Sequence, residues 1–208
     1  MEPDVPSPID LRVMTDAKEW DANALLKRPS RPGIFRAFSS ALASAGFPRS
    51  QQQTRILELG SGPGYLAHQL MADIAGADYV ALDFSEAMHQ LARERLSGFK
   101  RIQYLTRSFR DVGWADDLGT FDIIVTHQAV HELRHKQHHV ELHRAVRSIL
   151  SPDGVYLVCD HFFGPGGQSN NQLYMSIDEQ RESFYQAGFS RVQELLSEDG
   201  LVLHFVSE

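Results

Sequence analysis

The pattern of hydrophobic and polar positions changes after about residue 50. From Asp16 to Ala45, apolar residues follow a helical period that "RPSRPG" interrupts. Because proline breaks the helical hydrogen-bond ladder, we predict one or two helices there. Beyond residue 50, short apolar runs alternate with segments of helical period, which predicts a parallel sheet covered by helices on both faces, of the α/β class. The apolar runs are 55–60, 78–83, 101–106, 121–126 and 154–161.

The C-terminal part of the chain departs from this alternation. A helix is predicted over "SIDEQRESFYQAG", with a Ser/Asp cap at its start and Gly188 at its end. Two strands, "RVQELL" and "LVLHFVS", follow and are joined by the acidic turn "SEDG". A connection this short predicts an antiparallel pair. We therefore expect five parallel strands plus a C-terminal antiparallel hairpin, behind a mobile tail (1–15) and an N-terminal helical cap (16–50).

Composition and charge narrow the possible partners. The 208 residues carry 20 Lys and Arg against 27 Asp and Glu, a formal net charge of −7, and no window gathers the basic residues into a patch. Nucleic acid is therefore not expected as a partner. The apolar runs fall short of the roughly 20 residues that span a bilayer, and the acidic, proline-broken first residues do not resemble a secretion signal, so no membrane partner is expected. A single cysteine, Cys159, fits a reducing, cytoplasmic setting.

The stretch "ILELGSGPGYLA" places three glycines, Gly60, Gly62 and Gly64, between a strand and a helix. Glycines there let backbone N–H groups approach a ligand at a helix N-terminus, which indicates a nucleotide-like ligand. Two common nucleotide motifs do not fit. Tyr65 stands where the dinucleotide fingerprint requires a small residue, and no Lys-Ser/Thr pair follows the loop as in a P-loop.

The pattern around this loop resembles a known family. Glu58 on the strand followed by "GSGPG" is similar to the first motif of the class I S-adenosylmethionine (SAM) dependent methyltransferases, and "ALDFSEAM" with Asp83 is similar to the second. The resemblance runs from Arg55 to the C-terminus. It implies a Rossmann-like, doubly wound sheet of seven strands, with the last hairpin strand between the fifth strand and its partner. Residues 51–208 would then form the SAM-binding methyltransferase domain.

The resemblance also implies SAM as cofactor, with S-adenosylhomocysteine as product, and residues that hold it. Glu58 and the glycine loop would hold its amino-acid part, and Asp83 would accept the ribose hydroxyls, a role that suits a carboxylate at a strand end. Phe84 would lie against the adenine. In the third motif, Ser108 stands where the family usually has an aspartate, and Phe109 either stacks on adenine or packs in the core. The predicted cofactor residues are Glu58, Gly60, Ser61, Gly62, Gly64, Asp83, Phe84, Met88, Ser108, Phe109 and His127.

Polar side chains follow the fourth and fifth strands in "VTHQAVHEL" and "CDHFFGPGG". Ligands of open parallel sheets bind beyond the carboxyl ends of the strands, and these strands are neighbours in the family's sheet, so the side chains should meet at one mouth. A histidine near neutral pKa is the natural base for an oxygen acceptor. The candidate catalytic residues are His131, His161 and Glu132. Each has a structural alternative. His131 could cap the turn after the strand, His161 could be a hydrogen-bonded residue at a strand end, and Glu132 could start the next segment.

Histidines recur every fourth residue from His127 to His143. Histidines at i and i+4 on one helix can bind zinc, and His161 could complete a set of three. The apolar strand ends at Thr126, however, so we expect His127 and His131 in a loop and turn, apart from a helix that carries the histidines at 135, 139 and 143. On that helix the histidines fall on or beside the buried stripe, which predicts packing. We therefore predict no metal ligands.

These observations predict a single-domain SAM-dependent methyltransferase that acts on a small-molecule acceptor. O-methylation is favoured over N-methylation because histidines lie at the predicted pocket. The family's amine-directed nucleic-acid members carry Asn/Asp-Pro-Pro-Tyr after the fourth strand, where this chain has "THQA". Two alternatives stay open: a SAM-binding sensor or accessory protein without catalysis, and a metal-dependent enzyme that uses the histidine-rich segment. The sequence does not indicate an oligomeric state.

Overall fold

The computed structural model describes residues 3–49 and 53–208. One mixed sheet runs through the molecule with strand order β3-β2-β1-β4-β5-β7-β6. Strands β1 to β5 are parallel, and β7 lies antiparallel between β5 and β6. The predicted doubly wound sheet and the C-terminal hairpin are both confirmed. The strands are β1 (Arg55–Leu59), β2 (Asp78–Asp83), β3 (Ile102–Thr106), β4 (Phe121–His127), β5 (Leu150–His161), β6 (Arg191–Glu198) and β7 (Leu201–Ser207).

The helices begin where the sequence supplies a suitable first residue. Pro32 lies in the first turn of α2, where its missing N–H has no helical partner to lose. Ser85 and Ser176 cap α4 and α6 by accepting backbone N–H bonds, and Glu179 completes a capping box with Ser176. The predicted break at "RPSRPG" therefore separates two helices. The helices are α1 (Met14–Lys27), α2 (Arg31–Ser44), α3 (Tyr65–Asp73), α4 (Glu86–Arg95), α5 (His139–Ser148) and α6 (Ile177–Gln186).

Two apolar layers form the core, one on each face of the sheet. Helices α2, α3 and α4 contribute to the layer that contains Ile56, and α5 and α6 contribute to the layer that contains Leu57. The central strands β1 and β4 are buried on both faces, whereas the edge strands β3 and β6 are only partly buried. This explains why the central strands are continuous apolar runs. No helix among the described residues is long and apolar enough to cross a membrane.

The described N-terminal residues before α1 lie against the turns that follow β3 and β4. The Val5 N–H donates to the carbonyl of Arg134, and the Arg134 guanidinium donates back to the Val5 carbonyl. The Asp4 carboxylate pairs with Arg110. Helix α1 begins at Met14, inside the range that the sequence assigns to a tail. The segment is therefore hydrogen-bonded in this conformation, and its mobility stays a prediction.

The histidine-rich segment divides into separate pieces, as expected, but the division falls later than predicted. Helix α5 begins at His139, so His135 lies before the helix, although the sequence placed it on the helix. Arg134 has a φ of 65°, which turns the chain. The ring of His135 then accepts a hydrogen bond from the N–H of Gln137, and a short 3₁₀ turn precedes α5.

Several histidines are buried among apolar side chains. His139 and His143 lie on the inner face of α5, which confirms their predicted packing, and His204 lies inside β7 against Phe184. Burial lowers the pKa of His139 and of His204 to about 4, and that of His127 to about 3. Neither ring nitrogen of His204 has a hydrogen-bond partner within the described part of the chain. These rings are therefore neutral in the folded protein at pH 7.

We expect the stability of the protein to fall in mild acid. The unfolded chain protonates its histidines near pH 6.5, whereas His139 and His204 stay neutral until about pH 4, so they make the free energy of unfolding decrease as pH falls between these values. Glu58, Asp83 and His131 oppose this trend because their folded pKa values are raised, but the buried histidines with lowered pKa values outnumber them. His204→Leu should lower the slope of the free energy of unfolding against pH by about 1 kcal/mol per pH unit between pH 6 and 4.5.

Urea unfolding at several pH values measures this slope. The matched control is His68→Leu, which removes an exposed histidine from α3. A slope equal to that of the wild type in the His204→Leu variant would contradict the prediction.

Candidate active site

One cleft lies beyond the carboxyl ends of β1, β2 and β4, where their loops leave the sheet. Its cavity volume is about 180 Å³, below the ~300–1,000 Å³ that is typical of small-molecule sites. The glycine loop and the ends of β2 and β4 form the floor, and α1 and α2 close one side with Trp20, Arg31 and Phe35. Most of the predicted site residues line this cleft: Glu58, Gly60, Ser61, Gly62, Asp83, Phe84, Met88, Phe109, His127, His131, Glu132 and His161.

The three glycines of the loop have different structural roles. A Cβ on Gly60 would lie 2.2 Å from the Cβ of Ala129, so Gly60 permits direct packing of the loop on the chain that follows β4. Gly62 has a φ of 52° and open space beside it, and its N–H donates to Asp83 Oδ2 at 2.8 Å. Gly64 does not line the cleft. It precedes α3 in a left-handed conformation, and a Cβ on it would lie 2.9 Å from Leu96 Cδ1.

Two buried carboxyl groups face the cleft. Glu58 accepts a hydrogen bond of 2.8 Å from the Tyr79 hydroxyl, and Asp83 also accepts one of 2.8 Å from the N–H of Ser85. Burial raises the pKa of Glu58 to about 8 and that of Asp83 to about 6, and in Asp83 the backbone hydrogen bonds counteract part of this effect. Both groups would thus gain from a ligand that brings positive charge or hydroxyl donors.

The polar atoms of the cleft fit SAM, which carries an ammonium group, a sulfonium and a ribose diol. Glu58 lies where it could receive the ammonium, and Asp83 where it could receive the diol. Among the described residues, the buried Ser61 Oγ and His127 Nε2 also line the cleft and lack hydrogen-bond partners. Buried polar atoms without partners are costly, so they favour a bound polar ligand.

The aromatic part of the predicted cofactor site continues into a second cleft, beneath residues 4–12. Phe84 and Phe109 line both clefts, whereas Ser108 lines only the second, and its Oγ accepts a hydrogen bond from the N–H of Arg110. Asp111 is exposed and lines neither, so it does not replace the aspartate missing from the third motif. Phe109 packs in the core as well. Its packing is therefore confirmed, and its contact with adenine stays a prediction.

His131 and Asp160 form a hydrogen-bonded pair at the mouth of the cleft. His131 lies in a 3₁₀ turn after β4, and Asp160 is the penultimate residue of β5. The distance from His131 Nδ1 to Asp160 Oδ1 is 2.7 Å, and the backbone N–H of His131 donates to Asp160 Oδ2 at 3.0 Å. With the proton of the neutral ring held on Nδ1, the lone pair of Nε2 is free to accept a proton.

The charge of Asp160 decides the protonation of this pair. Burial lowers the pKa of His131, but the charge of Asp160 and the hydrogen bond to it outweigh burial and raise the pKa above its usual value. Burial raises the pKa of Asp160, yet the facing His131 holds it well below its usual range. Asp160 is therefore ionised, and His131 is a stronger base than a free histidine.

The ring of His161 has other partners than Asp160. Asp160 accepts from the backbone N–H of His161 and from the ring of His131. The His161 ring lies 3.0 Å from Gln128 Nε2, and burial lowers its pKa to about 4. Glu132 Oε1 lies 3.5 Å from His131 Nε2. All three candidate catalytic residues thus meet, with His131 as the best-placed base.

His131 and His161, together with Asp160, form the group among the described residues that could hold a metal ion. Ligand atoms of His131, Asp160 and His161 all lie within 4.8 Å of one another. The distance of 2.7 Å between His131 and Asp160 is, however, that of a direct hydrogen bond. The ring of His127 packs against Phe35, and His131 is the member of the four-residue repeat that belongs to this group.

Sequence reasoning missed Arg31, which lines the cleft from the first turn of α2. One signal was available. A cation at a helix N-terminus is electrostatically unfavourable, and α2 has no acidic residue in its first turn to offset it. A cation at the positive end of a helix dipole indicates that its side chain is stabilised by contacts outside that helix.

A family model matches the part of the chain that contains the glycine loop and the strands beside it. Residues 56–154, just under half of the chain, match the model described as a methyltransferase domain. The match agrees with the predicted resemblance to the SAM-dependent methyltransferases and supports SAM as the cofactor.

Two curated relatives match parts of the chain. A stretch of 112 residues is 30% identical to the non-reducing polyketide synthase nvfA of Aspergillus novofumigatus, covering 51% of this chain and 5% of that protein. A stretch of 106 residues is 29% identical to the demethylmenaquinone methyltransferase of Clavibacter sepedonicus, covering 51% of this chain and 40% of that one. The chain thus matches less than half the length of either relative.

Solved structures share the fold at low sequence identity. An O-methyltransferase family protein from Burkholderia thailandensis superposes with a TM-score of 0.71 at 14% identity, over 93% of this chain and 60% of that one. Human N-acetylserotonin methyltransferase in complex with SAM superposes with a TM-score of 0.65 at 16% identity, over 94% of this chain and 54% of that one. At these identities the likeness shows the fold.

Asp83→Ala should weaken SAM binding at least 100-fold, because it removes the carboxylate at the end of β2 and leaves the N–H of Gly62 and of Ser85 without their acceptor. Isothermal titration calorimetry with SAM measures the effect. The matched control is Asp78→Ala at the other end of the same strand, where the carboxylate pairs with Arg101 far from the cleft. Equal SAM affinity in the two variants would rule out the assigned role of Asp83.

Proposed function

We propose that the protein transfers the methyl group of SAM to a small-molecule acceptor, with an oxygen acceptor favoured over an amine. The observation that carries the proposal is the hydrogen bond between His131 Nδ1 and Asp160, 2.7 Å long, in the cleft that Glu58 and Asp83 also line. It supports a base beside the predicted cofactor site. A cleft of mixed polarity suits a small organic acceptor.

In this mechanism, SAM supplies an electrophilic methyl group and its own leaving group. The chain has to align the acceptor, exclude water and receive a proton. Trp20 and Phe35 shield one side of the cleft. His131 Nε2 takes the proton of an acceptor hydroxyl, while Asp160 holds the ring at Nδ1 and stabilises the imidazolium that forms.

The acceptor class follows from the need for a base. A hydroxyl loses its proton with difficulty, whereas an amine that is already neutral needs no base to attack. A histidine whose pKa is raised by a buried carboxylate is suited to the first case. Because one curated relative is a polyketide synthase, phenols of polyketide type are good first candidates for the acceptor.

The partners and the cellular setting are still predictions from the sequence. The net charge of −7 supports a small organic acceptor over nucleic acid. Cys159 is buried in β5 with burial raising the pKa of its thiol, so it is an unreactive thiol that suits a reducing, cytoplasmic setting.

A metal-dependent reaction is the second candidate, favoured by the close approach of His131, Asp160 and His161. It requires activity that is lost to chelators and restored by a divalent ion. Unchanged turnover after dialysis against EDTA would remove it. A SAM-binding sensor would bind SAM without forming S-adenosylhomocysteine in the presence of any acceptor.

A methyl-transfer screen against phenols, carboxylates and amines, read by mass, tests the proposed activity. We expect methylated product from at least one phenol or carboxylate together with S-adenosylhomocysteine. Product from amines alone would overturn the preference for oxygen. Binding of SAM with no product from any class would support the sensor.

His131→Asn should reduce kcat by about 10²- to 10⁴-fold for an oxygen acceptor, the usual contribution of a general base. The affinity for SAM should stay within a factor of about three, since the change lies on the acceptor side. His138→Asn, a partly exposed histidine seven residues along, is the matched control. An unchanged kcat in His131→Asn would exclude His131 as the base.

Asp160→Asn should change the pH profile in a defined direction. In the wild type, kcat rises with pH through the His131 pKa, which lies above the usual value of histidine because of Asp160. Removing the negative charge lowers that pKa, so the acidic limb should move to lower pH while the plateau falls. Steady-state rates from pH 5 to 9 measure both effects. A limb that stays in place would contradict the coupling.

A further inference from the structure

Arg31 is a buried cation on the wall of the cleft. It is 6% exposed. Its Nε and Nη2 donate to Gln128 Oε1 at 2.9 and 2.7 Å, and its Nη1 donates to the carbonyl of Ala24 at 2.8 Å. The guanidinium carbon lies 4.9 Å from the centre of the Trp20 ring. These contacts fix the guanidinium in one place beside the predicted cofactor site.

Arg31 has no carboxylate partner in residues 3–49 and 53–208. The comparison with Arg134 is informative, because it is equally buried at 6% and its Nη1 lies 3.6 Å from Glu132 Oε2. Around Arg31 the nearby charge is a second cation, Arg28. Burial and this neighbour lower the pKa of Arg31 to about 10, so it stays charged at neutral pH. A buried charge without a counter-charge is costly, and a ligand anion would offset that cost.

We propose that Arg31 is the carboxylate-binding residue of the cleft. Its observed hydrogen bonds use three of the five N–H groups of a guanidinium, and the planar arrangement of the remaining donors suits a carboxylate. The inference rests on the proposed function. The carboxylate has two sources, the amino-acid part of SAM or an acidic acceptor, and both would present the same group to Arg31.

The position of Arg31 connects the two halves of the site. Gln128, which accepts from Arg31, also lies 3.0 Å from His161 through its Nε2. Gln128 has a φ of 53°, an uncommon conformation for a residue with a side chain. Gln128 therefore links Arg31, which would bind the carboxylate, to His161 at the side of the cleft where the acceptor is expected.

The SAM arm of the test compares SAM with decarboxylated SAM by calorimetry. If Arg31 binds the carboxylate of SAM, the wild type should prefer SAM about 10- to 100-fold, the usual strength of a charged hydrogen-bonded contact. Arg31→Gln should abolish this preference, and Arg31→Lys should retain part of it. Arg28→Gln is the matched control, since it removes the same charge from a residue that does not line the cleft.

The acceptor arm uses 4-hydroxybenzoate and its neutral amide, together with a small panel of aliphatic carboxylates, with and without SAM. If Arg31 binds an acidic acceptor, the variants should keep wild-type affinity for SAM, and Arg31→Gln should lose at least tenfold in affinity for the acids but not for the amide. Thermal melting checks that each variant is folded. Should Arg31→Gln not fold, Arg31→Lys provides the same comparison, because it keeps the charge and loses the planar fork.

The proposal is overturned if Arg31→Gln leaves the preference for SAM unchanged and no carboxylate of the panel binds in an Arg31-dependent way. A wild-type protein that does not bind SAM would instead overturn the proposed function. The binding of carboxylates measured without SAM tests Arg31 even if the protein does not bind SAM. Failure of the proposed function and failure of the Arg31 assignment are thus distinguishable.

Discussion

The carboxylate of Asp160 holds together the part of the molecule on which the candidate site depends. It accepts hydrogen bonds from the backbone N–H of His131, from the ring of His131 and from the backbone N–H of His161. These bonds tie the turn after β4 to the end of β5, two neighbouring parallel strands. A buried carboxylate is tolerable only when its lone pairs are satisfied and a positive group faces it. Asp160 therefore both fixes the turn after β4 and raises the pKa of His131.

Burial acts in opposite directions on the acids and the histidines of this protein. It raises the pKa of Glu58 and Asp83, which lack a cationic partner, and it lowers the pKa of His139 and of His161. His131 is the exception, because a charged neighbour outweighs its burial. The raised pKa of His131 thus occurs at the cleft, while His139 and His143 behind it are packing groups with lowered pKa values. This electrostatic contrast makes His131 a stronger base than those two rings.

The sequence predicted most of the fold because each strand is a separate apolar run with a turn signal on either side. The glycine loop and Asp83 could be located for the same reason, since a ligand site at strand ends follows from the strand order. The pairing of His131 with Asp160 could not be predicted, because it depends on how the turn after β4 folds over β5. Arg134, with its φ of 65°, shows the same limit, because a non-glycine residue in this conformation has no clear sequence signature. The turn at Arg134 places His135 before α5, whereas the sequence predicted it on the helix.

The charges around the cleft are divided between its two sides. Glu58 and Asp83 lie at the ends of β1 and β2, on the floor, and both are buried without a cation beside them. Arg31 lies on the opposite wall, in α2, and is buried without an anion. These opposite groups do not neutralise each other across the cleft, although a direct ion pair would lower the cost of burying both. A ligand with separate positive and negative groups, such as an amino acid attached to a sulfonium, would compensate both sides at once. Because burial raises the pKa of Glu58 to about 8, the positive group of such a ligand would also favour the ionised form of Glu58.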